Sequence, residues 1–159
     1  MTDDYRIEKS RLSVVVVTAG GERITGDLFV QPFSRYRLGP EQAPDLLNAR
    51  EAYFPFATDD GETVLIAKDQ VREVEIAFPP GAAEEATPDG TAGARRALIE
   101  VTLSDGSAAT GAVYLQAPTD RPRLLDFLNR CDSRFITLYA PGGARLVNRR
   151  LIERVRPLD

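Results

Sequence analysis

Few residues in this chain have chemistry to offer. Two short acid–amide pairs, Asp45/Asn48 and Asp126/Asn129, share the pattern Asp-x-Leu-Asn. A carboxylate and an amide three residues apart present acceptors and a donor to a polar ligand. The same spacing also suits the two ends of one helical turn, with Asp at the start and Asn closing it in the left-handed region. Both readings stand at this point. The second group is basic: Arg149 and Arg150, preceded by Arg145 and followed by Arg154 and Arg156. Guanidinium groups at that density grip phosphate or an acidic partner. Alternatively they form a solvated face that pairs with Asp69, Glu73 and Glu75 of the first half. Leu47 and Leu128, inside the acid–amide pairs, are expected in the core.

The remaining chemistry is limited by composition. The chain has 159 residues and no histidine, which excludes Ser-His-Asp and Cys-His catalysis and His-ligated metals. Its one cysteine, Cys131, excludes a disulfide framework or a thiolate-rich cluster and reads as structural. Gly142-Gly143 is not followed by Lys-Ser/Thr, so it is no phosphate loop. The acidic candidates lie in polar stretches that would leave them ordinary carboxylates. The expectation is a protein that is not an enzyme, with no catalytic residue, metal or cofactor.

The net charge of −4 argues against nucleic acid as the main partner. It averages two unlike halves: residues 1–94 hold 9 basic and 17 acidic residues, and residues 95–159 hold 11 and 7. The first residues, MTDDYRIEKSR, are acidic and polar, unlike a secretory signal. The longest aliphatic run, Val14–Val17, falls far short of the roughly 20 residues a membrane helix needs. A cytoplasmic protein without a membrane partner is expected.

The elements that must position these residues come from a repeat. Residues 11–31 shifted by 85, and residues 45–76 shifted by 81, give 13 identities over 53 positions. They include Gly21/Gly106, Gly26/Gly111, Asp45/Asp126, Asn48/Asn129, Phe54/Phe135, Gly61/Gly142, Leu65/Leu146 and Val74/Val155. The change of offset leaves four extra residues in the first copy, around the Ser34-Arg35-Tyr36-Arg37 tip, which reads as a contact point or an ordinary loop. The predicted layout is a first repeat over 1–78 with its N-terminal extension, a Pro/Gly/Ala/Glu-rich flexible linker over 79–96, and a second repeat over 97–159.

Each copy predicts five short strands. A β-branched run (Ser13–Thr18; Ala97–Leu103) meets a Gly turn, then a second strand with an internal glycine, Gly26 or Gly111. A mid-strand glycine is tolerated where the strand bends sharply or another backbone comes close. A short helical turn follows, then strands at Tyr53–Thr58 and Phe135–Tyr139, Thr63–Ala67 and Arg145–Asn148, Val71–Ala77 and Ile152–Arg156. The fold class expected is mainly all-β: two tandem five-stranded, strongly bent antiparallel barrels with short helical turns.

This order of features resembles the Sm-like family. Gly21 and Gly26, and Gly106 and Gly111, resemble its first motif. Leu65-Ile66-Ala67-Lys68-Asp69-Gln70-Val71 and Leu146-Val147-Asn148-Arg149-Arg150-Leu151-Ile152 resemble its second. The chain is also similar to uncharacterised bacterial Sm-like proteins without an assigned activity. The resemblance implies ring-type assembly and RNA held by the loop Asp/Asn and an Arg-Gly turn. Here that turn is Lys68-Asp69 in one copy and Arg149-Arg150, without Gly, in the other. Charge and motifs together predict a non-enzymatic binding, scaffolding or regulatory protein acting through a protein partner or self-association. The alternative is an RNA- or nucleotide-binding protein using the basic face of the second repeat. The candidate ligand-binding residues are Asp45, Asn48, Asp126, Asn129, Arg149 and Arg150.

Overall fold

Valine and isoleucine runs punctuated by glycine fold as strands, and the chain is mainly β with two short helices. The computed structural model describes residues 10–32, 41–78, 94–115 and 124–158. The N-terminal extension, the Arg35–Arg37 tip, Gln116 and residues 79–93 of the expected linker lie outside the described residues. The chain divides into two units, Met1–Val74 and Glu75–Asp159.

The first unit holds β1 (Ser10–Thr18), β2 (Arg23–Val30), α1 (Ala43–Asn48), β3 (Tyr53–Thr58) and β4 (Thr63–Ala67). It then has a 3₁₀ turn (Lys68–Gln70) and the start of β5 (Val71–Ala77), which crosses the unit boundary. The second unit holds β6 (Arg95–Leu103), β7 (Ala108–Leu115), α2 (Leu124–Arg130), β8 (Phe135–Ala140) and β9 (Gly143–Asn148). A 3₁₀ turn (Arg149–Leu151) and β10 (Ile152–Pro157) complete it. The strand order is β5-β1-β2-β3-β4 in the first unit and β10-β6-β7-β8-β9 in the second. Arg95 and Arg96, expected in the linker, are the first residues of β6.

The repeat is visible bond by bond. The β1–β2 turn closes with Gly21 N–H donating to Thr18 O at 2.9 Å, and the β6–β7 turn with Gly106 N–H donating to Leu103 O at 2.9 Å. Ala19 N–H donates to Gln70 O, and its repeat mate Ser104 N–H donates to Leu151 O, both at 2.8 Å. The mid-strand glycines meet the expectation of close approach. A Cβ on Gly26 would stand 2.1 Å from Ala57 O, and one on Gly111 would stand 2.7 Å from Leu138 Cβ.

Register corrects one pairing of the repeat. Phe54 lies opposite Ile66 in the first unit, and Ile136 opposite Val147 in the second. Because Ile66 and Val147 are mates, Phe54 matches Ile136, and Phe135 matches Tyr53. The physical cause is the hairpin. Three residues, Asp59-Asp60-Gly61, turn between Thr58 and Glu62, but only Pro141-Gly142 between Ala140 and Gly143. The missing residue moves β8 by one position, and Phe54/Phe135 is an identity without structural equivalence.

The second unit's core joins alternate residues of three strands, Ile99, Val101 and Leu103 on β6, Val113 and Leu115 on β7, Ile136 and Leu138 on β8, with Val147 on β9. Phe127, Leu128 and Cys131 pack against it, so the thiol sits at the core's margin. In the first unit Val16, Leu28, Leu47, Phe54, Phe56 and Val71 are buried. Burying such a side chain stabilises by about 1.5–3 kcal/mol. Leu47 is buried, as the sequence predicts, whereas Leu128, also expected in the core, is half-buried and packs against the core's margin.

Candidate functional site

Asp45 and Asn48 sit on α1, a helix of 6 residues. Pro44 suits the first helical turn, where its missing N–H is not needed. Asp45 does not occupy the cap itself. Gln42 does, and its backbone N–H donates to Asp45 Oδ2 at 2.8 Å. The carboxylate therefore closes the helix start from its third position, the acidic half of a capping box. Asn48 ends the helix, but not in the left-handed region. The next residue, Ala49, is extended (φ −62°, ψ 156°), and no non-glycine residue among those described has positive φ. The expected closure by asparagine is thus replaced by a direct exit into extended chain.

What satisfies the end of α1 is a residue that the sequence marks only as part of a turn. Lys68 is completely buried, and its Nζ donates to Leu46 O at 2.9 Å and to Ala49 O at 3.0 Å. Its backbone N–H donates to Ala52 O at 2.9 Å. The last carbonyls of a helix lack intrahelical partners and carry the negative end of its dipole, so an ammonium there is doubly favoured. The signal was its position: Lys68 opens the 3₁₀ turn immediately after a strand whose alternate residues face the interior.

Asp126 and Asn129 lie on α2, Asp126 in its first turn, and both are exposed. The second unit repeats the anchoring of the first with another cation. Arg149 N–H donates to Arg134 O at 3.0 Å, and its Nε donates to Ser133 O at 2.8 Å. So Arg149 is half-buried and ties the loop after α2 to the 3₁₀ turn, as Lys68 does in the first unit. Arg150 is exposed, its backbone N–H bound by Asn148 Oδ1 at 3.0 Å. The structure therefore brings Arg149 and Arg150 beside the loop that follows Asn129, in one unit, while Asp45 and Asn48 belong to the other.

Two more arginines of the cluster, Arg154 and Arg156, pair locally. Arg156 Nη2 bonds Glu100 Oε1 at 3.1 Å, and Arg154 Nη1 bonds Glu153 Oε1. Both partners belong to the second unit, not to the acidic first copy as one reading of the sequence has it. The reason is register: β10 lies antiparallel to β6 with Arg156 opposite Glu100. Among the described residues no group of three or more His, Cys, Asp or Glu is placed to hold a metal ion. No helix among them is long and apolar enough to cross a membrane.

A different surface was missed. Tyr53, Pro55, Leu65 and Ala67 share one face of the β3–β4 hairpin, since Tyr53 pairs with Ala67 and Pro55 with Leu65. Leu65 is 72% exposed and Tyr53 61%. Their mates in the second unit, Leu146 and Phe135, are 0% and 1% exposed. Inside that second unit the outer edge of β9 is lined by the unit's own first residues. Phe78 N–H donates to Gly142 O at 2.9 Å, and a Cβ on Gly143 would fall 2.2 Å from Ile76 O. No described strand lies beyond β4. No family model, no curated protein and no solved structure matches the chain.

Proposed function

We propose that the chain is a non-enzymatic binding and scaffolding protein of two tandem Sm-like small barrels, acting in the cytoplasm through protein–protein contacts. The repeated strand order and the close approach of the neighbouring strand at Gly26 and Gly111 support the barrel reading. The observation that carries the function is the Tyr53–Leu65 face: an apolar hairpin surface ending in a strand edge beyond which no described strand lies, and whose repeat mate is buried. Such an edge accepts an extended segment of a partner polypeptide, with backbone ladders giving affinity and alternate side chains giving selectivity. The seat that Glu75–Phe78 takes along β9 is the template for that occupant.

The exposed Arg150 beside half-buried Arg149 favours the second reading, RNA or a nucleotide at the second unit. One pair of experiments separates them. The chain is purified, after nuclease treatment, from cells that make it, alongside Leu65→Arg, and each is also titrated with single-stranded RNA at low and high salt. A stoichiometric protein partner lost in Leu65→Arg, with no RNA binding at low salt, supports the scaffold. RNA binding that falls steeply with salt and vanishes in Arg149→Glu with Arg150→Glu, while Leu65→Arg changes nothing, overturns it.

A further inference from the structure

The two units differ at the points where one chain would have to copy the β9 edge contact between molecules. By the repeat, the segment Glu75–Phe78 on β9 has as its counterpart the end of β10 and the residues after it. Val71 and Val74 correspond to Ile152 and Val155, so Ile76 corresponds to Pro157. Gly143 corresponds to Glu62, each directly following a glycine of positive φ (Gly142, 84°; Gly61, 90°) and preceding the β9 or β4 run. Copying the contact would place the end of β10 from one molecule along β4 of the next.

Both replacements oppose that copy. Gly143 lets the Ile76 carbonyl approach to a distance where a Cβ would be at 2.2 Å, well inside any real contact. Glu62 has that Cβ and a charged side chain besides. On the other strand, Leu158 N–H donates to Leu98 O on β6 at 2.9 Å. Backbone donors alternate sides along a strand, so the position before it, Pro157, faces the open edge. Proline has no N–H to offer there, and edge prolines and charges are the usual means by which a strand is kept from pairing with another chain. Arg154 and Arg156 add exposed charge to the same strand.

Resting on the protein-contact reading above, we propose that Glu62 and Pro157 are specificity determinants that stop β4 from accepting β10 of a second copy. The chain then carries a partner-binding edge without growing into head-to-tail chains of itself.

Gain of function tests this. The wild-type chain, Glu62→Gly with Pro157→Ile, and that double variant carrying Leu65→Arg are compared by sedimentation over a wide concentration range. Circular dichroism and thermal melting of each check the fold, and both sites are exposed, so folding is expected to hold. The double variant should self-associate at least about tenfold more tightly than wild type, since a relieved clash and one restored ladder bond together exceed the 1.4 kcal/mol that a factor of ten represents. Leu65→Arg should remove the gain. Equal association of wild type and double variant overturns the proposal. So does a wild-type chain that already self-associates and loses this in Leu65→Arg. That last result would leave protein–protein contact at β4 standing, with a second copy as the partner. Failure of the scaffold reading shows instead as an indifferent Leu65→Arg in the partner experiment.

Discussion

Replacing Lys68 by methionine isolates the contribution of its ammonium. Methionine keeps the length and apolar stem of lysine, so the buried volume stays filled. What disappears is the donor shared by Leu46 O and Ala49 O at 2.9 and 3.0 Å. A buried carbonyl deprived of its partner costs about 1–3 kcal/mol, so two such carbonyls put the loss for Lys68→Met at about 2–6 kcal/mol. Against this stands the cost of burying a charge, which methionine avoids, and buried ions are often replaced by apolar residues without harm. The geometry decides between them. The ammonium meets two carbonyls at the negative end of α1, so its desolvation is compensated. Arg149→Met, at the half-buried mate whose side chain donates to Ser133 O, should cost less, about 1 kcal/mol. Urea unfolding followed by circular dichroism measures both, with a constant slope confirming that the denatured state is unchanged. If Lys68→Met unfolds at the same or a higher urea concentration than wild type, water reaches those carbonyls and the cation is not what holds the end of α1.

The strand glycines yield a second expectation: Gly26→Ala drives a Cβ to 2.1 Å from Ala57 O and should cost at least about 3 kcal/mol, because backbone rather than a flexible side chain must yield. Gly20→Ala, whose Cβ would meet nothing nearer than 3.9 Å, should leave the thermal midpoint almost unmoved and serves as the control. At the β3–β4 turn the Asp60 carboxyl is held below its ordinary value near 3.8, first by the Thr58 hydroxyl that donates to it and then by the Glu62 backbone N–H. A lowered carboxyl stabilises the fold above its unfolded pKa, and that contribution fades as pH falls through the folded value. The midpoint difference between wild type and Asp60→Asn should therefore be greatest near neutrality and shrink as the pH falls below the ordinary carboxyl value in thermal melts.

The strands were legible because two copies of one pattern report on each other. β3 and β4 match their predicted bounds of Tyr53–Thr58 and Thr63–Ala67, and so does β5 at Val71–Ala77. Alternation and glycine turns are local signals, and antiparallel pairing between neighbours in sequence follows from them. What failed was a one-residue phase. Phe54 and Phe135 are identical in type, and a sequence alignment prefers identity to a gap inside a turn. The hairpin, though, counts residues: three between Thr58 and Glu62 against two between Ala140 and Gly143 shift every partner on β8. Helix ends were misread for a related reason, since Asp at the cap and Asp at the third position both satisfy an orphan N–H, and only the backbone shows which N–H is bound.

The candidate site was less legible, because charge in a sequence carries no sign of burial. Lys68 and Arg149 occupy one position of the repeat and look like surface cations flanking a turn. One is completely buried on two carbonyls and the other half-buried on one, so most of the basic character attributed to that turn is taken up in holding the loop after each helix. The converse holds for Leu65 and Leu146. They are the same residue at the same place in the same kind of strand, and their exposures differ by the full range from 72% to 0%. No pattern within either copy separates them, since alternation fixes which face a side chain takes and not what lies against that face. One visible difference lies at the edges: Gly143 allows a backbone to close on β9, and the matching position before β4 is Glu62, which in our proposal holds one off. The leucine three positions on is therefore core in one unit and surface in the other, a difference that the alternation of either strand does not carry.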